Sequence, residues 1–506
     1  MTDQSLDSIR RGGERLMEEV AREEHLAHAG FKESAELQPI YARHAGVLGP
    51  DALAATLEAF RSTDAGSEAH RSARALLEWE AEAGAARVVA PLEERQIAWE
   101  ATAVVRQPDG TSVPYSGVSI AIANATDRRE RLALDEARAA LVTEQLAPLR
   151  RERLEREKDY VESLDVAPGY VATFEAVSGV NVTALVDECR AFLRETQAMW
   201  DDTLAAVARR ALPGVPVREL TRADALALFR AREYDRFFPA AELEPSVRRQ
   251  VVEMGVDPTA GGRVTYDLAE REGKRSRAFC SPVRVPDEVY LVLRPHGGQQ
   301  DYSTLLHELG HALHFAYMRP DLPFEFRWVG DNSVTEGYAM LFDHRMMDRG
   351  WLLRYTGLGR NDASAFLRQA AFEELQFLRR YCAKLVYEVQ LYGGEVPWAS
   401  LPDLYVETLT AATTFRYRPA DAFVDVDPRF YAARYLRAWQ LQAVLAESLV
   451  ERFDDDWWRN PRAGPFVVGQ LFGEGQRELA TELAERVAGR PLSFAPLVRA
   501  VERALA

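Results

Sequence analysis

The chain reads as a mostly α-helical protein of two lobes with one small β-sheet, on three observations. Stretches rich in Ala, Leu, Glu and Arg (51–60, 72–96, 128–164 and 182–212) repeat apolar residues at helical spacing and carry opposite charges that meet along one helix. Segments with strand character are few. At 506 residues and 47% hydrophobic content, the chain is longer than a single core usually serves, so two lobes are expected.

The elements follow in order. After the first long helices, 98–106 and 112–123 have the alternation of strands and are expected to form a hairpin around Pro108-Asp109-Gly110. The charge run 150–158 is a solvated helix face. Ala211-Leu212-Pro213-Gly214-Val215-Pro216 is the best linker, with a composition break on both sides. It sets a boundary near residue 205, between an N-terminal helical lobe, 1–205, and a C-terminal region, 206–506, that holds the chemistry. A second strand pair, 278–285 with 289–294, comes directly before the helix on which that chemistry centres, and an edge strand there could hold an extended peptide by its backbone. Gly469, Gly473 and Gly475 follow no strand, so they read as a helix–helix turn rather than a phosphate loop.

Composition narrows the function classes. A net charge of −16 argues against a nucleic-acid or anionic-membrane partner, both of which need a basic face. Cys189, Cys280 and Cys382 are few, odd in number and widely spaced, as expected of reduced thiols in a cytoplasmic protein. Residues 1–7 lack the basic and apolar regions of a signal peptide, and no run of about 18 apolar residues occurs.

The most informative residues are His307-Glu308-Leu309-Gly310-His311. Four positions apart on a helix, two imidazoles project from one face and can close on a single ion, while the glutamate between them reaches a water on that ion. With 9 His in 506 residues, a chance H-E-x-x-H arises in about one such chain in a hundred. Leu305, Leu309, Ala312, Leu313 and Ala316 recur as an apolar face, and His307, His311 and His314 form a separate stripe. Asp301 or Ser303 offers an N-cap after Gly297-Gly298, and Pro320 marks the stop. Two helical histidines need a third protein ligand and leave a fourth position for water, the pattern of a catalytic zinc. Glu336, 336 − 311 = 25 residues after the second histidine, is the candidate. Ser333-x-x-Glu336 also fits a capping box, in which the carboxylate would serve only the backbone. Asp343, two turns on, could orient a ligand histidine.

His-Glu-x-Gly-His-x-x-His followed by this glutamate resembles the thimet oligopeptidase and oligoendopeptidase F family of zinc peptidases. Gly273-Lys274-Arg275-Ser276-Arg277-Ala278-Phe279-Cys280 is similar to the Gly-Lys-Arg-x-Gly-Ala-Tyr stretch of the oligoendopeptidase F branch, and Asp301 and Thr304 match its Asp and Thr. Arg277 stands where that branch has Gly, which points to a distant member. Phe430-Tyr431-Ala432-Ala433-Arg434-Tyr435 is similar to the family's late tyrosine motif, and Ala433-Arg434-Tyr435 to that of the peptidyl dipeptidase relatives, where a tyrosine donates to the oxyanion. Tyr435 is the first choice for that role and Tyr431 the second; the other reading is that both simply pack. The histidine that several relatives place before these tyrosines is absent from 425–429. The resemblance covers residues from about 273 onward, while 1–270 match only in general character.

The resemblance implies one zinc ion held by His307, His311 and Glu336, with Glu308 as general base, at the bottom of a deep channel between helical lobes that admits short unstructured oligopeptides. Two alternatives stand beside this endopeptidase. One is a carboxypeptidase or dipeptidyl carboxypeptidase, in which Arg429, Arg434 or Arg437 captures the substrate's terminal carboxylate. The other is a metal-stabilised peptide-binding protein without turnover, against which the intact Glu308 speaks.

Overall fold

The computed structural model describes residues 5–107, 110–275 and 277–506. Residues 1–4 of the N-terminus, Pro108 and Asp109 of the expected hairpin turn, and Ser276 of the Gly-Lys-Arg stretch lie outside the described residues.

The chain is predominantly α-helical with small sheets, as its patterning predicts. Helices Pro50–Ser62 and Glu68–Thr102 cover the first two periodic stretches. The third runs through Arg128–Leu141, a π turn at Val142–Leu146 and Ala147–Ser163, and the fourth divides at Thr196 into Val182–Glu195 and Gln197–Ala211. Strands β1 (Val104–Arg106) and β2 (Ser112–Pro114) pair antiparallel, as expected of the hairpin, but both are shorter than their alternation suggests. Helix Glu68–Thr102 continues into the first. Beyond the second, Val118 and Ile122 are four residues apart, so the helix Val118–Asn124 buries both in a cluster with Val105, Leu134 and Ala223.

Two compact units make up the chain. The first comprises 1–81, 233–367 and 437–497, and the second 82–232, 368–436 and 498–506. The division expected near residue 205 is therefore replaced: residue 205 lies inside helix Gln197–Ala211, and 211–216 is a turn within the second unit, with Gly214 at φ +84°. The chain passes between units inside helices Glu68–Thr102, Arg360–Gly393, Tyr431–Phe453 and Ala495–Leu505, where no Gly- or Pro-rich linker marks the passage. In the second unit Cys189 and Cys382 are buried, hydrogen-bonded neighbours, and all three cysteines are free thiols. Among the described residues no single helix is long and apolar enough to cross a membrane.

In the first unit, a three-stranded sheet has the order β3 (Val264–Asp267), β5 (Glu288–Val292), β4 (Phe279–Arg284). The β4–β5 pair is the expected one, and β3 adds a parallel strand to it. Lys274 ties the connecting loop to the sheet. Its buried ammonium donates to the carbonyls of Asp267, Ala269 and Leu293 at 2.8, 2.8 and 3.0 Å, so one cation satisfies three main-chain acceptors.

The histidine helix, Gln299–Tyr317, starts at Gly298, whose φ of +91° a side chain would disfavour. Gly298 has no side chain to cap the helix; Asp301, in the first turn, instead accepts at Oδ2 from the loop amides of His296 and Gly297 at 2.6 and 2.8 Å. Tyr302, Leu305, Leu306, Leu309, Leu313 and Ala316 form its buried face. A second helix, Asn332–Asp343, is capped by Asp331, which accepts from Ser333 N at 2.9 Å and, through its other oxygen, from Ala480 N at 2.8 Å. Glu336 therefore sits beyond the first turn and is not the capping-box glutamate. The two helices cross in near backbone contact. A Cβ on Gly310 would lie 2.6 Å from Ala339 Cα and 2.9 Å from the Tyr338 carbonyl oxygen, so only glycine permits the approach.

Candidate active site

That close crossing brings His307, His311 and Glu336 together. Their ligand atoms all lie within 4.8 Å of one another. Glu336 Oε2 is 3.4 Å from His307 Nε2 and 3.7 Å from His311 Nε2. Both rings are aimed by what their other nitrogen meets. His307 Nδ1 is 2.8 Å from Asp343 Oδ2, and His311 Nδ1 is 3.0 Å from Thr335 Oγ1. An ionised carboxylate only accepts, so His307 carries its proton on Nδ1 toward Asp343 and can present a lone pair at Nε2. Asp343 is itself held, its Oδ1 2.6 Å from His344 Nδ1.

The electrostatics match this arrangement. Burial disfavours a charged His307, but hydrogen bonds with Asp343 and Glu336 overcome it and raise the ring to about 10. His311 is lowered, chiefly by burial, against the attraction of Glu336. Burial would raise Asp343, yet the neighbouring His344 and the bond from His307 hold it below the usual carboxylate range. Binding of a divalent cation at these nitrogens would compete with protons. Two imidazole nitrogens and a carboxylate oxygen form a donor set that fits zinc, with a fourth position left open.

Glu308 is positioned by the sheet. Its Oε2 accepts from the backbone amide of Cys280 at 2.8 Å. Cys280 lies opposite Leu291 on β4, a strand paired on one side only, and its amide points away from that partner to the glutamate. Burial, and then Glu308, push the Cys280 thiol well up, so it stays protonated.

His314 separates from the other two histidines of the stripe. It is fully buried, with Nδ1 3.1 Å from Thr335 Oγ1, and lies outside the ligand group. Tyr431 and Tyr435 belong to the second unit, on one half-buried face of helix Tyr431–Phe453, with rings 4.8 Å apart and Tyr435 against Tyr381 at 5.8 Å. The three arginines near them face partners within the chain. Arg429 and Arg434 approach Glu82 at 3.7 and 3.8 Å, and buried Arg437 donates to Gln440 at 2.7 Å.

Thr335, His344 and the Cys280 amide escape a sequence reading. Nothing distinguishes Thr335 from any other helical threonine, and Cys280 acts through its backbone. His344 carried one signal, its place next to Asp343.

No protein-family model matches the chain, and no curated protein matches it in sequence. Among solved structures, the chain is similar to a candidate peptidase from Chlamydophila abortus, with a TM-score of 0.68 and 14% identity over 99% of this chain and 89% of that one. At that identity the likeness shows a shared fold.

Proposed function

We propose that the protein is a zinc-dependent peptidase that hydrolyses short oligopeptides as an endopeptidase. The observation that carries this reading is the convergence of His307, His311 and Glu336 within 4.8 Å, with Glu308 on the adjoining turn of the same helix. The fold likeness to a candidate peptidase supports it.

Zinc in this position supplies Lewis-acid polarisation of the scissile carbonyl and lowers the pKa of a coordinated water. The chain's own residues do the rest. His307 and His311 offer neutral nitrogens, aimed through Asp343 and Thr335, and Glu336 offers charge. Glu308, fixed at Oε2 by the Cys280 amide, takes the proton of the attacking water and returns it to the leaving amine. The β4 edge supports binding of an extended substrate, because an edge strand offers unpaired backbone groups beside the base. Tyr435 first, and Tyr431 second, are the proposed oxyanion donors, on the strength of the family resemblance.

Metal content and turnover separate these roles. Glu336→Gln should lower zinc content by mass spectrometry, whereas Glu308→Gln should keep zinc and lose cleavage of a quenched peptide. Tyr435→Phe should reduce kcat by about 10²–10³ with zinc retained. Full zinc occupancy and activity in Glu336→Gln would remove the carboxylate from the ligand set, and a loss in Tyr431→Phe alone would reverse the order of the tyrosines. Products from a peptide series, read by mass spectrometry, distinguish internal cleavage from release of C-terminal residues.

A further inference from the structure

We propose that Thr335 and His314 are positioning residues: behind His311 they form a hydrogen-bonded chain with a single direction, which fixes the ring nitrogen that His311 presents to the metal. In this chain His311 Nδ1–H donates to Thr335 Oγ1, the Thr335 hydroxyl donates to His314 Nδ1, and His314 keeps its own proton on Nε2. The proposal rests on the metal-site reading above and extends it.

The direction follows from counting protons. Thr335 Oγ1 lies 3.0 Å from His311 Nδ1 and 3.1 Å from His314 Nδ1. A hydroxyl has one proton to give and lone pairs to accept with. When His311 Nε2 faces the ion, its proton must reside on Nδ1, so Thr335 accepts there. The hydroxyl proton is then available to His314, which must present a lone pair at Nδ1 and carry its own proton on Nε2.

The surroundings of His314 agree. The ring is enclosed by Phe315, Tyr338 and Phe472, with centroids at 5.6, 4.8 and 5.7 Å. Burial in that cage, and then the neighbouring His311, push it down to about 3, so it is neutral. The Gly475 backbone acts in the opposite direction, favouring the protonated ring as an accepting carbonyl does. Thr335 is the hydrogen-bond partner of Nδ1, while Nε2 is buried with no described group within hydrogen-bond reach.

The two imidazole ligands are therefore held differently. His307 leans on a carboxylate, whereas His311 leans on a neutral chain that ends in a sealed aromatic pocket. One helix, Asn332–Asp343, supplies the carboxylate ligand Glu336 and both ring-orienting groups, Thr335 immediately before it and Asp343 two turns on. Groups in such places typically control about 10–100-fold in metal affinity.

The test uses the full chain labelled with ¹⁵N-histidine and loaded with zinc. Long-range ¹H–¹⁵N spectra should show His311 protonated at Nδ1 and His314 as the neutral Nε2–H form. In chelator competition, Thr335→Val should weaken zinc binding about 10–100-fold and Thr335→Ser should restore it to within a few-fold. A zinc-loaded wild type with His314 protonated at Nδ1 would overturn the chain, since Thr335 would then accept from both rings. So would Thr335→Val with wild-type zinc affinity. If Thr335→Val does not fold, the wild-type tautomers and Thr335→Ser decide the matter. A wild type that binds no zinc would instead remove the metal-site reading on which the proposal stands.

Discussion

Glu80 is a carboxyl that burial keeps protonated. It is 4% exposed, its Oε2 lies 2.6 Å from Thr56 Oγ1, and burial raises it from 4.5 to about 8. A protonated Glu80 can donate to Thr56, which in turn can donate to the Ala52 carbonyl at 3.1 Å. Below about pH 4.5 the folded and unfolded chains both hold this proton. Between that value and about 8 only the folded chain does, so stability falls as pH rises through this window and is level again above it. The loss is on the order of a few kcal/mol for a shift of this size. Glu80→Gln copies the protonated form, so its melting temperature should exceed that of wild type at pH 8 and approach it at pH 5. Melting curves at both pH values check this; parallel declines in the two proteins would show that Glu80 does not titrate in that window.

At the level of elements, the site depends on how closely two helices cross. Gly310→Ala improves intrinsic helix propensity by about 1 kcal/mol, yet its Cβ would fall 2.6 Å from Ala339 Cα, a backbone atom with no rotamer to yield. Forcing atoms into a packed crossing costs about 1–3 kcal/mol, so the contact outweighs the propensity. The variant should melt lower and hold less zinc, because separating the helices draws Glu336 away from the imidazoles. Calorimetry together with metal analysis gives the answer, and a raised melting temperature with full zinc would mean that the helices tolerate the methyl. The same crossing explains why glycine occupies the fourth position of the motif, where the imidazole geometry alone asks nothing of the side chain.

For the whole molecule, the consequence lies in how the units are assembled. Each draws on three separated segments, and four of the passages between them run through continuous α-helices. Ion pairs such as Arg71 with Glu482 and Arg10 with Glu325 join distant segments of the first unit. Cutting the chain at residue 205 would strip strand β4 and helix Phe324–Trp328 of their packing partner, helix Leu6–His28, and 82–205 of its partners in 368–436. Neither 1–205 nor 206–506 should therefore fold alone, as circular dichroism melts without a cooperative transition and rapid limited proteolysis would reveal. A cooperative melt from either fragment would contradict the interleaving of segments within each unit.

What was legible in the sequence depends on near neighbours. Helical periodicity located the long helices, strand alternation found β4 and β5, and the spacing of His307 and His311 set two imidazoles on one face, all because the 3.6- and 2-residue periods are local. Glu336 stood out by residue type and distance along the chain, but whether its carboxylate turned to the helix end or to the histidines was left open. Tertiary packing resolved that choice, through Asp331 as the cap and Gly310 as the point of approach. It also set the contacts of Thr335, His344 and the Cys280 amide, and the membership of each unit, which a turn-rich 211–216 misdirected. These depend on which elements pack together across tens to hundreds of residues, and no periodicity within one element records its partner.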